Sequence, residues 1–300
     1  MADKPRVYTL MGPTACGKTA LANALYQTGE YELISVDSVL VYRGLNIGSA
    51  KPGPHEAPHG LVDIRDFWDT YSAGDFREDC VAAVHAIEQR GRKPVLVGGT
   101  QMYYKSLLDF ESGLPQANAQ LRDQIREQAQ QQGWPALHQQ LQKLDPVTAA
   151  RLHPNHSSRI ERALEVYQLS GKPLSEFHAS DAQPLFDLVS VALIPDDRAW
   201  LHQRIAQRFD IMLEQGFEDE LQQLMAHPKF DPALTSMMSV GYRQGFEWQM
   251  GRLSKDAFIE RGVIATRQLA KRQLTWLRSW PGLRCVSAEH ATLEQVQAAF

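Results

Sequence analysis

Three hundred residues leave room for one large domain, or for a core carrying an inserted one. With 43% hydrophobic and 22% charged residues the chain can build a sizeable core, which excludes a disordered or fibrous polypeptide. A formal charge of −4 excludes a chain that is polycationic throughout, so any nucleic-acid site must be a local basic patch.

The chain opens with strand-like and helix-like runs in alternation. Val7–Met11 reads as strand and Lys18–Tyr26 as helix. Between them, Gly12-Pro13-Thr14-Ala15-Cys16-Gly17-Lys18-Thr19 has the pattern G-x-x-x-x-G-K-[ST]. A strand before it and a helix after it are the context a phosphate-binding loop needs. The glycines let successive N–H groups turn toward one anion at a helix N-terminus. Lys18 adds a point charge, and the Thr19 hydroxyl is the expected Mg²⁺ contact. Cys16, at that helix N-terminus beside Lys18, is expected to react with thiol reagents.

Glu32–Val36 reads as a second strand that ends at Asp37-Ser38, and Leu61–Ile64 as a weaker one. Asp75–Arg90 reads as a helix with Phe76, Val81, Val84 and Ile87 on its inner side. Val95–Val97 followed by Gly98-Gly99-Thr100 reads as a buried strand ending in a glycine turn, with a helix after it. Such alternation predicts a parallel α/β sheet. Ligands of such sheets sit at the carboxyl ends of the strands, where the phosphate loop, Asp37 and Thr100 all fall. Asp37 is placed to act as a general base, or to hold Mg²⁺ through water, or simply to cap the next segment.

From about Leu114 to Pro184 the strand signal fades. Leu121–Gln132, Pro135–Leu144 and Ser158–Leu169 read as helices, broken at Gly133, Asp145-Pro146, His153-Pro154-Asn155 and Gly171-Lys172-Pro173. The expected organisation is therefore a core over 1–113, an all-helical insertion over 114–184, and a return to the core over 185–300. His153 and His156 have no partner at zinc-like spacing and read as loop or cap residues.

Phe186–Ile194 is again strand-like. The helix from Trp200 to Glu214 carries Arg204 and Arg208, either of which suits bidentate contact with a diphosphate, or a solvated face. Gly216–Ala226 continues as helix, and Met237–Arg243 reads as a turn and helix start. Asp256–Trp280 is a long helix with Arg261, Arg267, Lys271, Arg272 and Arg278. Its Trp276 and Trp280, interleaved with cations, suit RNA backbone and stacked bases, although an amphipathic helix with a basic outer face has the same pattern. Leu283–Val286 is a possible final strand. The cysteines, Cys16, Cys80 and Cys285, are odd in number and far apart, which argues for a reducing, cytoplasmic setting. No apolar run suits a bilayer span, so no membrane partner is expected.

Several blocks, in order along nearly the whole chain, resemble the bacterial tRNA dimethylallyltransferases, also called tRNA isopentenyltransferases. They are Gly12–Thr19, Ile34–Ser38, Val41–Pro52, Val97–Thr100, His153–Asn155 with Arg159-Ile160 and Arg162–Val166, Val240–Gln244 and Thr266–Gln273. The resemblance implies a P-loop parallel sheet core flanked by helices, with an all-helical insertion, working as a monomer. It implies that dimethylallyl diphosphate occupies the loop, with Mg²⁺ as cofactor. The group is transferred to the exocyclic amine of adenosine 37, in the anticodon stem-loop of tRNAs that read codons beginning with U. On this carry-over Asp37 is the general base, Thr19 supports the diphosphate and Mg²⁺, and Lys18 and Arg208 hold the diphosphate. Asp37, Ser38, Val39 and Leu40 match tRNA-contacting positions. So do Thr100, Arg122, Ser158, Arg159, Ile160, Glu161 and Arg162, and Met238, Ser239, Val240, Gly241, Tyr242 and Arg243. Three positions depart from the family: Cys16 where Ser is common, His156 where Asp caps, and Met238 where Arg is common. An adenylate isopentenyltransferase, a P-loop nucleotide kinase and a non-catalytic RNA-binding module are the competing readings. Val95–Gly99 ends in glycines rather than in the Asp a kinase would place there.

Overall fold

Strand β1 (Arg6–Met11) is central in a six-stranded sheet. The structure is a computed structural model and describes residues 4–108, 114–177 and 184–300. In chain order β1 is followed by α1 (Lys18–Gln27), β2 (Tyr31–Val36), β3 (His59–Gly60), α2 (Ala73–Gln89), β4 (Lys93–Gly98) and α3 (Gln101–Leu108). Then come α4 (Ala119–Gln132), α5 (Trp134–Leu144), α6 (Pro146–Ala150), α7 (Ser157–Ser170) and α8 (Leu174–Phe177). The chain ends with β5 (Asp187–Ile194), α9 (Arg198–Glu214), α10 (Phe217–Met225), α11 (Tyr242–Gln249), α12 (Lys255–Leu277), β6 (Arg284–Ser287) and α13 (Leu293–Ala298).

The strand order is β3-β2-β4-β1-β5-β6, and every pairing is parallel. Parallel strands are covered on both faces, so they read as continuous apolar runs rather than alternating ones. Leu10, Leu33, Val95, Val97 and Leu193 pack with Ala22 and Leu25 of α1 and Val296 of α13. A second cluster joins Val41, Tyr42 and Leu45 to Phe209, Phe217, Leu221, Tyr242, Phe246 and Phe258.

The chain divides into two compact units, Met1–Leu107 with Phe186–Phe300, and Leu108–Leu185. The second is wholly helical among its described residues and has its own core of Ile125, Leu137, Leu141, Ala149, Ile160, Ala163 and Leu164. Among the described residues, side-chain caps start six of the helices. Asn118 Oδ1 accepts from Leu121 N–H ahead of α4, and Asp145 Oδ1 from Thr148 N–H ahead of α6. His156, at the N-cap of α7, makes no side-chain cap bond, as its departure from Asp leads one to expect.

Three expectations are corrected. The weak strand is His59–Gly60, not Leu61–Ile64, because Leu61 and Asp63 take positive φ of 64° and 56°, which no strand tolerates. On α2 the inner arc is Phe76, Cys80, Val84 and Ile87, so Cys80 rather than Val81 faces the sheet. Trp280 is buried and packs edge-on against Tyr104 at 5.9 Å, so it has no face for a stacked base. Among the described residues no helix is long and apolar enough to cross a membrane.

Candidate active site

The phosphate loop leaves β1 at its carboxyl end and turns into α1. Gly12 has φ 151°, and a Cβ there would lie 2.7 Å from Cys16 Sγ and 2.9 Å from the Leu193 carbonyl, so the position admits only glycine. Gly17 is left-handed (φ 96°) at the N-cap of α1. Lys18 folds back over the loop, and its Nζ donates to the carbonyls of Gly12 at 3.1 Å and Pro13 at 2.6 Å. Cys16 is fully buried among Leu10, Ala22 and Leu193, which overturns its expected reactivity with thiol reagents: no reagent reaches the sulfur of the folded chain.

Asp37 emerges from β2 next to the loop. Its Oδ1 accepts from the amides of Val39 at 2.8 Å and Leu40 at 3.2 Å. The capping role and an open oxygen therefore coexist, because Oδ2 takes no hydrogen bond from a described residue. Thr100 Oγ1 accepts from Ser38 N–H at 3.2 Å, which ties the end of β4 to the end of β2. At Gly98 a Cβ would sit 2.2 Å from the Val36 carbonyl, so glycine is what lets these two strand ends converge.

Both candidate arginines of α9 reach the site. Arg204 Nε donates to the Ala15 carbonyl at 2.8 Å, and its guanidinium lies 4.9 Å from the Trp200 ring centre. Arg208 donates to the Ser49 carbonyl at 3.1 Å. Burial lowers the Arg208 pKa, and the nearby Asp37 charge opposes that shift. An arginine nonetheless stays charged in a protein. His59 lines the same space, and burial keeps its imidazole below the usual pKa.

These parts enclose one cavity of about 650 Å³. Its lining includes the polar groups of Thr14, Gly17, Lys18, Thr19, Asp37 and Arg208 and the apolar side chains of Val39, Leu40, Ile205, Phe209, Met212 and Leu269. Hard oxygen donors for Mg²⁺ are present in Thr19 and Asp37. No cluster of three His, Cys, Asp or Glu exists among the described residues. That donor set fits a Mg²⁺ held largely by substrate phosphate and water rather than by a protein cage.

The matched RNA-contact segments divide by exposure. Ser38, Ser158, Arg159, Met238 and Arg243 are exposed. Ile160 and Tyr242 are fully buried and Glu161 nearly so, which corrects their reading as contacts: Ile160 packs in the insertion core, Glu161 pairs with Arg126, and Tyr242 donates to Glu220. Gly241, also buried, is a turn residue at φ 89°. Arg122 and Arg162 both grip the buried Glu165, at 2.9 and 2.7 Å. Ser239 and Val240 are half-buried, and Val240 lines the cavity.

Two residues that support the site carry no obvious mark. Gln273 of α12 accepts from Thr14 N–H at 2.9 Å and donates to the Gly99 carbonyl at 3.1 Å, joining the phosphate loop to the β4 turn. Glu220 of α10 accepts from the amides of Asn46, Ile47 and Gly48 at 3.0, 2.7 and 3.1 Å and from the Tyr242 hydroxyl at 2.6 Å. It thereby sets the loop whose Ser49 carbonyl holds Arg208. The only sequence signal for either is a polar residue on an otherwise apolar arc: Ala270, Gln273, Leu277 on α12, and Phe217, Glu220, Leu221, Leu224 on α10.

Fold and site together define a P-loop α/β transferase that brings a phosphate cradle, a carboxylate and an apolar wall into one cavity. Residues 40–280 match the family described as IPP transferase, and residues 5–61 match Isopentenyl transferase. The chain belongs to the IPP transferase family. It is 50% identical to a tRNA dimethylallyltransferase of Thiobacillus denitrificans, over 99% of this chain and 96% of that one. The full-length tRNA isopentenylpyrophosphate transferase of Bacillus halodurans superposes with a TM-score of 0.70 at 32% identity, covering 98% and 94% of the two chains. A eukaryotic dimethylallyltransferase acting on tRNA superposes with a TM-score of 0.81 at 29% identity, covering 95% and 74%.

Proposed function

We propose that this protein transfers the dimethylallyl group of dimethylallyl diphosphate to the exocyclic amine of an adenosine in tRNA. The expected target is position 37 of the anticodon stem-loop, in tRNAs reading codons beginning with U. The observation that carries the proposal is the make-up of the cavity. Its polar lining groups suit a diphosphate, its apolar lining side chains suit a five-carbon chain, and Asp37 lies among them with an oxygen open to the cavity.

Each residue then has a task. The N–H groups of the phosphate loop and Lys18 bind the diphosphate, and Arg208 neutralises charge that grows on it as the carbon–oxygen bond breaks. The diphosphate leaves with the bonding electron pair while the adenine nitrogen bonds to the freed carbon. Asp37 Oδ2 takes the proton that the nitrogen loses. Such a base contributes about 10²–10⁴-fold to the rate. The adenine must leave its stack to reach the cavity. Thr19 would hold Mg²⁺, which supplies further neutralisation of the leaving group when bound. Exposed Ser38, Ser158, Arg159, Met238 and Arg243 are side chains of the matched segments available to a large partner. The reading is completed by a monomer in the cytoplasm, in keeping with three separated free cysteines.

The test is direct. Incubation with unmodified tRNA, dimethylallyl diphosphate and Mg²⁺, followed by mass analysis of the nucleosides, should show N6-(dimethylallyl)adenosine, in which one dimethylallyl group replaces a hydrogen of the amine. An unchanged adenosine would overturn the proposal.

A further inference from the structure

Two helices flank the cavity, and each is tied to the phosphate loop. Near the start of α9, Arg204 holds the Ala15 carbonyl. Near the end of α12, Gln273 accepts from Thr14 N–H. Along α12 the residues Gly262, Thr266, Leu269 and Gln273 recur at helical spacing, and the last three line the cavity. Gly262 stands eleven residues before Gln273, about 16 Å along the helix axis. There α12 meets Phe209 of α9, which lies five residues past Arg204.

The contact is close. A Cβ on Gly262 would lie 2.5 Å from both Cε2 and Cζ of Phe209, so the ring edge occupies the place of the missing side chain. Phe258 and Phe217 stand against the same ring, at 5.5 Å and 6.5 Å between centres. Phe209 lines the cavity yet is only 3% exposed. It is therefore the partition between the cavity and the aromatic cluster behind it. Thr266 adds no donor at this point, because its hydroxyl donates to the Gly262 carbonyl at 2.8 Å. A ring packed against three neighbours does not swing aside without strain.

We infer that Phe209, seated on Gly262, is the stop that limits the transferred chain to five carbons. The diphosphate is held at the loop, and the hydrocarbon end points away from it toward the Phe209 ring. A ten-carbon chain would have to displace that ring into the aromatic cluster. Phe209 is then a specificity-determining residue and Gly262 a positioning one. The inference rests on a prenyl diphosphate being the donor.

The test compares dimethylallyl diphosphate with geranyl diphosphate, its ten-carbon homologue, in the full chain. Transfer to tRNA gives kcat/KM for each donor, and calorimetry without tRNA gives the affinity for each. Wild type should prefer the five-carbon donor by about 100-fold or more, and Phe209→Leu and Phe209→Ala should cut that preference about tenfold. Gly262→Ala pushes the ring into the cavity and should raise the Michaelis constant for dimethylallyl diphosphate several-fold. Adding Phe209→Ala to Gly262→Ala should reverse that rise, since the new Cβ then meets no ring. Phe246→Leu lies in the same cluster but off the cavity. It should lower Tm and leave the preference within about twofold of wild type. An unchanged preference in the folded Phe209 variants would overturn the inference, as would an equal drop in Phe246→Leu. Should Phe209→Ala fail to fold, Phe209→Leu decides. A wild-type chain that transfers both chains equally well would keep the proposed function and remove the stop. One that neither binds nor uses either donor would remove both.

Discussion

Gln273 holds Thr14 across 259 residues of sequence, its side-chain oxygen accepting a hydrogen bond from the Thr14 N–H at 2.9 Å. Its other end donates to the Gly99 carbonyl, so a single carboxamide sets the spacing between the phosphate loop and the β4 turn. Truncation leaves a half-buried donor and acceptor unpaired, worth about 1–3 kcal/mol. Gln273→Ala should therefore raise the Michaelis constant for dimethylallyl diphosphate about tenfold with tRNA binding retained. Gln273→Glu keeps the acceptor but brings a negative charge beside the phosphate, and should raise it further. Steady-state kinetics on both variants decide the matter, and unchanged constants would sink it.

Asp37 has a structural oxygen and a chemical one. Asn at this position preserves the bonds to Val39 and Leu40 while removing the base. Asp37→Asn should lower kcat about 10²–10⁴-fold and leave both binding steps near wild type. If tRNA affinity fell as far as kcat, Asp37 would be a docking residue.

Glu220 gathers four donors in a buried place. Glu220→Ala strands them all, at a cost of about 3–5 kcal/mol, which implies a fall in Tm of roughly 10 °C. The loop that holds Arg208 should loosen with it, so the Michaelis constant for the diphosphate should also rise. Thermal unfolding by circular dichroism gives the first number. A Tm within about two degrees of wild type would contradict it.

The helical insertion should be acid-sensitive at one identifiable carboxyl. Burial alone would raise the Glu165 pKa, but bonds from Arg122, Arg162 and the Asn118 amide outweigh it and hold the group below its ordinary value. A lowered native pKa gives stabilisation that is complete above the ordinary value of about 4.3 and is lost as pH falls through the native one. Glu165→Gln should be less stable at neutral pH and show a flatter loss of Tm below about pH 4.3. Parallel acid profiles for the two proteins would refute the assignment.

Thiol chemistry separates the three cysteines by burial. Cys285 is exposed, whereas Cys16 and Cys80 are buried. A chromogenic disulfide reagent should titrate one fast thiol in the native chain and all three after unfolding. Fast reaction of a second thiol would mean that the phosphate loop or α2 opens on its own.

The phosphate loop was legible because its pattern and its flanking strand and helix are contiguous, and the parallel sheet because buried strands leave short apolar runs between helices. The insertion showed itself as a shift in composition. What stayed hidden depends on partners distant in sequence. Periodicity alone does not separate Arg208 from Arg204, since only the family resemblance names Arg208 and both reach the site, Arg208 through Ser49, 159 residues away. Gln273 and Glu220 carry no mark in the sequence beyond their places on the helices of Asp256–Trp280 and Gly216–Ala226, because their partners Thr14, Gly99 and Asn46–Gly48 are far away in the chain. Trp280 looked like a stacking platform because sequence spacing does not reveal that Tyr104 covers it. The segment after β2 misled in the other direction, since the left-handed turns at Leu61 and Asp63 have no glycine to announce them.

The place of β5 bears on how the chain is made. It pairs with β1 along its length, Arg6 opposite Asp187, and those partners lie 181 residues apart. A ribosome adding about 5–20 residues per second leaves β1 with one bare edge for roughly ten to forty seconds. An apolar strand with an unpaired edge is a template for unwanted pairing. The newborn half-sheet is therefore the aggregation-prone stage of this protein's life, and it ends only when synthesis has passed the insertion and delivered Asp187–Ile194.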